Sequence, residues 1–371
     1  MYILGIETTC DETAISIVKV HNNFYNNLKF EIISNIILSQ DIHNIFGGVY
    51  PEQAFRKHQE NIMKIFFKAV ENFDINKIDL IGVSAFPGLV GALAIGVAMA
   101  KTLGIFLSKL VIPVNHLWGH LFANFENIEL GQEKYLQEKK LLPALGLVVS
   151  GGHTNLYFIE NFLPVKIKLI SRTLDDAVGE AYDKVARLLN LGFPGGPVID
   201  KLANSYKPNL NEKPIFPIPK ANNFSYSGLK TAVSRYIKNI NFENLDYNKK
   251  EIETKKIAYY FQYSAIEHII RKIELAILGY KELKSIFVGG GVAANSYLRK
   301  RLTEISNKYK LNLYMPSIAL CTDNAAMIAI STFFIYKSFF ENNNKKEDII
   351  DFDVYPSEEE GIKIFYGNKN F

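Results

Sequence analysis

Two stretches decide the fold: ILGIETTCDETAISIV at Ile3–Val18 and ALGLVVSGGHTNLYFI at Ala144–Ile159. Each places two short apolar runs about a polar turn, the pattern of a strand, a tight turn and a second strand. Each is followed, further on, by an apolar run, a glycine turn and a helical stretch: IGVSAFPGLVGALAIG at Ile81–Gly96 and SIFVGGGVAANSYLRKRL at Ser285–Leu302. The same order of elements occurring twice predicts a duplicated α/β fold of two lobes. A cleft between such lobes collects both polar turns and both glycine turns, and clefts between domains are where ligands bind.

At 371 residues, 48% of them apolar and 22% charged, the chain can bury a large core and is long enough for two globular units. The charged run 133–140 reads as a solvated connection. It places the first lobe at 1–132, with a returning helix at about 322–340, and the second at 144–321. The tail 341–371 carries no assignment, and the Asn-rich pieces near residues 24 and 343 read as surface insertions.

The net charge of +4 permits nucleic acid without implying it. Lys230 and Arg235, Lys249 to Lys256, and Arg299 to Arg301 are candidate phosphate contacts, each equally readable as a solvated helix face. Two cysteines, Cys10 and Cys321, rule out a disulfide scaffold or a four-thiolate zinc site within one chain and read as small buried fillers. The N-terminus enters a strand pattern directly, with no leader-like stretch, so a cytoplasmic protein is expected. Leu80–Ala100 is uncharged and long enough to span a bilayer, but Pro87 and four glycines break it. A buried strand at 80–84, a turn and a buried helix to Leu103 account for the same run, and no membrane is expected.

NHLWGH puts His116 and His120 four residues apart, on one face if helical, with Asn115 as the cap. Such a pair suits zinc or iron, though alone it is more often a surface coincidence. The metalloprotease pattern needs a Glu after the first histidine, and Leu117 stands there. Glycine turns at 149–154, 193–200 and 288–295 can bring backbone N–H groups close to a phosphate. There is no P-loop, because Ala100 precedes Lys101 and Thr102, and no dinucleotide fingerprint. Acidic residues beside these turns, Asp11, Glu12, Asp175, Asp176, Glu180, Asp183 and Asp323, are candidate ligands or bases, with a cap or turn as the commoner fate.

Taken in order, GIETTCDETAISIV, NHLWGH, VVSGGHT, LDDAVGEAYDKVARLLNLGFPGGP, FSYSGLKTAV, GGGVAANSYLRKRL and CTDNAAM resemble the tRNA N6-adenosine threonylcarbamoyltransferase family across most of the chain, with FSYSGLKTAV similar to its bacterial branch. The resemblance implies a two-lobed actin-like, sugar-kinase-like α/β fold. It implies transfer of a threonylcarbamoyl group from threonylcarbamoyl adenylate to the N6 amine of the adenosine 3′ of the anticodon, in tRNAs reading codons that begin with adenine. By carry-over, His116, His120 and Asp323 hold one divalent metal, iron(II) or alternatively zinc. Val148, Val149, Ser150, Gly151, Gly152, Asp183, Gly196, Asp200 and Asn295 meet the adenylate in the same way. Asp11 or Glu12 is assigned, as a hypothesis, to accept the proton of the attacking amine. Implied partners are tRNA, a related ligand-poor homologue forming a heterodimer, and a small P-loop ATPase. Three residues depart from the family pattern: Trp118 stands for a usual Glu, Phe86 for a glycine and Ile218 for an arginine. A sugar kinase and a non-catalytic scaffold of the same fold are the rival readings.

Overall fold

A computed structural model describes residues 1–22, 28–40, 48–128, 141–209, 212–341 and 351–367. The charged connection 133–140 and most of both Asn-rich pieces lie outside them. Two five-stranded sheets carry the architecture. The first contains β1 (Tyr2–Glu7), β2 (Glu12–Asn22), β3 (Leu28–Ser39), β4 (Leu80–Phe86) and β5 (Leu110–Asn115), in the order β3-β2-β1-β4-β5. The second contains β6 (Ala144–Val149), β7 (Thr154–Phe162), β8 (Val165–Arg172), β9 (Ser285–Gly289) and β10 (Asn312–Tyr314), in the order β10-β9-β6-β7-β8.

The duplication holds at the level of strand direction. β1 pairs antiparallel with β2 and parallel with β4, and β6 repeats this with β7 and β9. The reason is visible in the residues. β4 and β6 are apolar without alternation and buried throughout, as strands covered on both faces must be. β8 alternates buried and exposed positions at the sheet's edge.

Helices α1 (Pro51–Val70) and α2 (Val90–Leu107) cover the first sheet, α3 (His116–Phe122) follows β5, and α4 (Val178–Leu188), α5 (Gly195–Ser205), α6 (Ser227–Asn239), α7 (Tyr247–Gly279) and α8 (Ser296–Tyr309) belong with the second sheet. α9 (Ala325–Ile335) returns to pack on β1, β2 and β4, with every residue buried. α10 (Glu358–Tyr366) lies against β4 and β5. An aromatic joint ties the two halves together: Phe334 of α9 stands 4.6 Å from Phe122 and 4.8 Å from Phe125, and Phe125 stands 4.9 Å from Phe162 of β7.

The uncharged run 80–100 forms the expected strand, turn and helix, with two differences. The strand runs on to Phe86 and the helix to Leu107. Nor is the helix buried all round. Its inner face, including Leu93, Val97 and Ala100, packs on β4 and α1, while Val90, Ile105 and Phe106 face outward. Length and composition alone would let α2 cross a membrane.

Candidate functional site

The centre of the site is the start of α3. Asn115 ends β5, and its Oδ1 accepts hydrogen bonds from the N–H groups of Leu117 at 2.9 Å and Trp118 at 3.3 Å, so it caps the helix as the sequence predicts. One helical turn then sets His116 and His120 on the same face, with ring centroids 4.8 Å apart. This is no surface pair, because α3 is buried along its whole length between the two sheets. The fit is close enough that a Cβ on Gly289, at the end of β9, would stand 2.3 Å from the His120 carbonyl oxygen.

Asp323 arrives from far along the chain, just before Asn324, which caps α9 by accepting from the Met327 N–H at 3.0 Å. Its Oδ1 lies 3.1 Å from His120 Nε2 and 3.6 Å from His116 Nε2. One donor atom from each of the three side chains falls within 4.8 Å of the others. Among the described residues, neither ring nitrogen of buried His120 has a hydrogen-bond partner, although Asp323 is in reach of Nε2. Buried polar atoms are rarely left so. Two imidazoles and a carboxylate brought this close could hold a divalent metal. Burial tends to raise the Asp323 carboxyl, but the His116 and His120 imidazoles outweigh it and hold it well below the usual range.

Sequence reasoning passed over Glu7. It is fully buried at the end of β1, its Oε1 accepting from the Thr9 N–H at 2.6 Å and its Oε2 facing His116 Nδ1 at 3.0 Å. That contact places the His116 proton on Nδ1 and turns Nε2 toward Asp323, the role a carboxylate plays behind a metal-bound histidine. Burial lowers the affinity of His116 for a proton, but Glu7 and then Asp323 reverse this and raise its pKa to about 9. The signal was a single carboxylate inside an otherwise apolar strand, which must find a partner. His153, quoted in the glycine turn but not singled out, sits near the same rings; burial and the two imidazoles press its pKa down to about 4.

The opening turn brings Cys10, Asp11 and Glu12 to this cluster. Burial, then the charges of Asp323 and Asp11, pushes the Glu12 carboxyl well above its ordinary value. Cys10 is only partly buried, contrary to the filler reading, and desolvation followed by Asp11 keeps it a thiol. Cys321 is buried as expected, its Sγ 3.4 Å from the Arg299 guanidinium.

The glycine turns divide by what surrounds them. A Cβ on Gly151, Gly152 or Gly196 would meet nothing within 4 Å, so packing within the chain does not demand glycine there. These positions leave room for a ligand to approach the backbone. Ser150 shapes the first turn, its N–H donating to the His153 carbonyl at 2.8 Å. Val148 and Val149 have buried side chains and can meet a ligand only through their backbone. Asp183 accepts from the Gly195 N–H at 2.7 Å, and burial raises its pKa to about 6. Asp200 accepts from the N–H and hydroxyl of Ser296 at 3.0 and 2.8 Å, and Asn295 caps α8 through the Leu298 N–H while donating to Gln262 Oε1 at 2.8 Å. Asp183, Asp200 and Asn295 thus frame the helix starts beside the turns.

Most of the other candidates are engaged within the chain. Asp175 caps α6 through the Tyr226 N–H and the Ser225 and Ser227 hydroxyls, and Asp176 holds Lys184 and Lys230. Glu180 pairs with Lys184. Lys249, Lys250, Lys255 and Lys256 each face a carboxylate, as does Arg301, while Arg299 is spent on the Ala293 and Pro316 carbonyls.

Comparison with known proteins gives the family. The family model described as tRNA N6-adenosine threonylcarbamoyltransferase matches residues 31–330. Curated relatives bearing that name include one from Dictyoglomus turgidum, 42% identical over 92% of this chain and 96% of its own length. Another, from Thermodesulfovibrio yellowstonii, is 44% identical over 89% of this chain and 93% of its own. Among solved structures, the activator of 2-hydroxyisocaproyl-CoA dehydratase from Clostridium difficile, with bound ADPNP, matches with a TM-score of 0.52 at 11% identity, covering 93% of this chain and 99% of that one. HypF from T. kodakarensis matches at 0.50 and 15% identity, over 94% and 49%. These distant likenesses speak to the fold alone, which is the two-lobed actin-like, sugar-kinase-like one.

Proposed function

Since the chain belongs to the tRNA N6-adenosine threonylcarbamoyltransferase family, and so is a transferase of tRNA modification, we propose that it moves a threonylcarbamoyl group from threonylcarbamoyl adenylate to the N6 amine of the adenosine 3′ of the anticodon (position 37). The tRNAs so modified read codons beginning with adenine. The observation that carries the reading is the convergence of His116, His120 and Asp323 on one point beside open glycine turns. A divalent metal held by that triad, iron(II) before zinc, would supply Lewis-acid polarisation of the carbamoyl carbonyl.

The chain's own groups do the rest. Backbone at Val148 to Gly152 and at Gly196 receives the adenylate, with Asp183, Asp200 and Asn295 setting the walls of its seat. In the transfer, the adenosine N6 forms a bond to the carbamoyl carbon and the carbon–oxygen bond of the mixed anhydride breaks. AMP leaves with that electron pair, and the N6 proton passes to a carboxylate. Glu12 or Asp11 serves as that acceptor, and burial makes the Glu12 carboxylate the readier of the two to take up a proton.

Residues 1–132 with 322–340 act as one lobe and 144–321 as the other, closing on substrate from two sides. The protein works in the cytoplasm, one metal to a subunit, beside a related ligand-poor homologue and a small P-loop ATPase. Mass spectrometry of nucleosides tests the reading, on tRNA incubated with threonylcarbamoyl adenylate, this protein and those partners, with and without chelator. Chelator-sensitive threonylcarbamoyladenosine supports it. No product from folded protein and competent partners would move the assignment to a non-catalytic scaffold.

A further inference from the structure

The segment beyond residue 350 has no part in the site described above, yet it reaches the residues that build it. Tyr355 N–H donates to the Ala85 carbonyl at 3.0 Å, and Lys101 Nζ donates to the Phe352 carbonyl, laying the chain along the end of β4 and α2. α10 then crosses behind α3. Gly361 lies flat on the Phe86 ring, where a Cβ would stand 2.2 Å from Phe86 Cγ, and Phe365 stacks on the same ring at 5.3 Å.

Two side chains of α10 engage the cap and body of α3. Glu358 turns inward, its Oε1 accepting from Asn115 Nδ2 at 3.0 Å and its carboxylate accepting from the Tyr157 hydroxyl at 2.9 Å. Asn115 belongs to the first sheet and Tyr157 to the second, so one carboxylate joins both halves. Because Asn115 Oδ1 is already committed to the first N–H groups of α3, the Glu358 contact fixes the rotation of the cap amide. Tyr366 accepts from the Asn115 N–H at 3.2 Å, donates to the Pro113 carbonyl at 2.8 Å, and stacks on Trp118 at 5.3 Å and 23°. Trp118 lies on α3 between the two histidines.

Resting on the metal reading above, we propose that α10 is a clasp for the metal helix. Glu358 and Tyr366 are positioning residues that hold His116 and His120 in the geometry a divalent cation requires. Neither touches the cation. Both act through Asn115 and Trp118, as supporting contacts behind metal ligands do.

Trp118 is the only tryptophan in the chain, so its emission reads the clasp directly. The test titrates the full metal-free chain with Zn2+ against a chromophoric chelator and records Trp118 emission and thermal unfolding in parallel. Wild type should bind one Zn2+. Glu358→Ala should lose roughly tenfold in affinity with a red-shifted Trp118, and Glu358→Gln, which keeps an acceptor for Asn115, should recover most of it. Tyr366→Phe should show a smaller loss of the same sign. If Glu358→Ala does not fold, the Gln and Phe variants carry the same comparison. Variants that melt earlier yet bind Zn2+ like wild type, with unchanged emission, overturn the clasp and leave the metal reading standing. Wild type that binds no Zn2+ overturns both.

Discussion

Glu7→Gln should weaken divalent-metal binding by one to two orders of magnitude. The carboxylate is fully buried, one oxygen bonded to the Thr9 N–H at 2.6 Å and the other 3.0 Å from His116 Nδ1. Glutamine keeps the length but has one acceptor where two are needed, so its amide must face either Thr9 or His116 donor to donor. Two effects on metal binding then oppose each other. Losing the charge makes His116 easier to deprotonate, which helps a metal displace the proton. It also removes the group that orients the ring and favours positive charge on it. The second effect wins, because a divalent cation places more charge at the ring than a proton does and the same carboxylate stabilises both. Partners of this kind are worth about 10- to 100-fold in affinity, or roughly 1.4–2.7 kcal/mol. The assay is Zn2+ competition on metal-free protein, with urea unfolding run separately to measure the cost to the fold, about 1–3 kcal/mol for the unpaired donor. Unchanged or tighter Zn2+ binding in a folded Glu7→Gln protein would refute the reasoning.

Gly289→Ala should cost roughly 1–3 kcal/mol of stability by driving a methyl into the His120 backbone, and a urea midpoint equal to wild type would contradict that packing. Desolvation raises Glu358 from 4.5 to about 7, with Asn115, Tyr157 and Arg172 only partly offsetting it. Between those two values the folded state binds more protons than the unfolded, so stability falls as pH rises through the window, by at most about 3 kcal/mol. Glu358→Gln lacks the titration and should gain on wild type between pH 5 and pH 8 in paired unfolding curves; parallel curves would exclude the effect. Phe106→Ser, at an outward position on α2, should leave stability within about 0.5 kcal/mol, and a larger loss in thermal melts would show that this face is covered.

Much of the fold could be read because its signals are local. The two strand–turn–strand openings, the uncharged β4 run and the Asn115 cap are short-range patterns, and each became the expected element. The candidate metal triad was half local, since the histidine spacing needs only one helical turn. Its third member, Asp323, could be joined to them only through family resemblance, because nothing near residue 323 encodes where α9 will dock. Glu7 was missed for the same reason: a carboxylate in a strand announces a partner without naming it. The basic clusters read equally as solvated helix faces, and the carboxylates that fold back onto Lys249, Lys250, Lys255, Lys256 and Arg301 are what sequence does not show. The departures Phe86 and Trp118 had no reason in the sequence; both are rings on which α10 stacks.

The position of α9 has a consequence for how the protein comes off the ribosome. The face of the first sheet formed by β1, β2 and β4 is finished only when residues 325–335 arrive, after the whole second half has been made. Until then that apolar face waits uncovered, although N-terminal units ordinarily fold first as they emerge. Any metal that the proposed triad holds would wait with it, because His116 and His120 gain their carboxylate from Asp323, just before the cap of the same helix. The nascent chain therefore holds an unfinished lobe until residues 323–335 emerge, when the core closes and a carboxylate joins the two histidines.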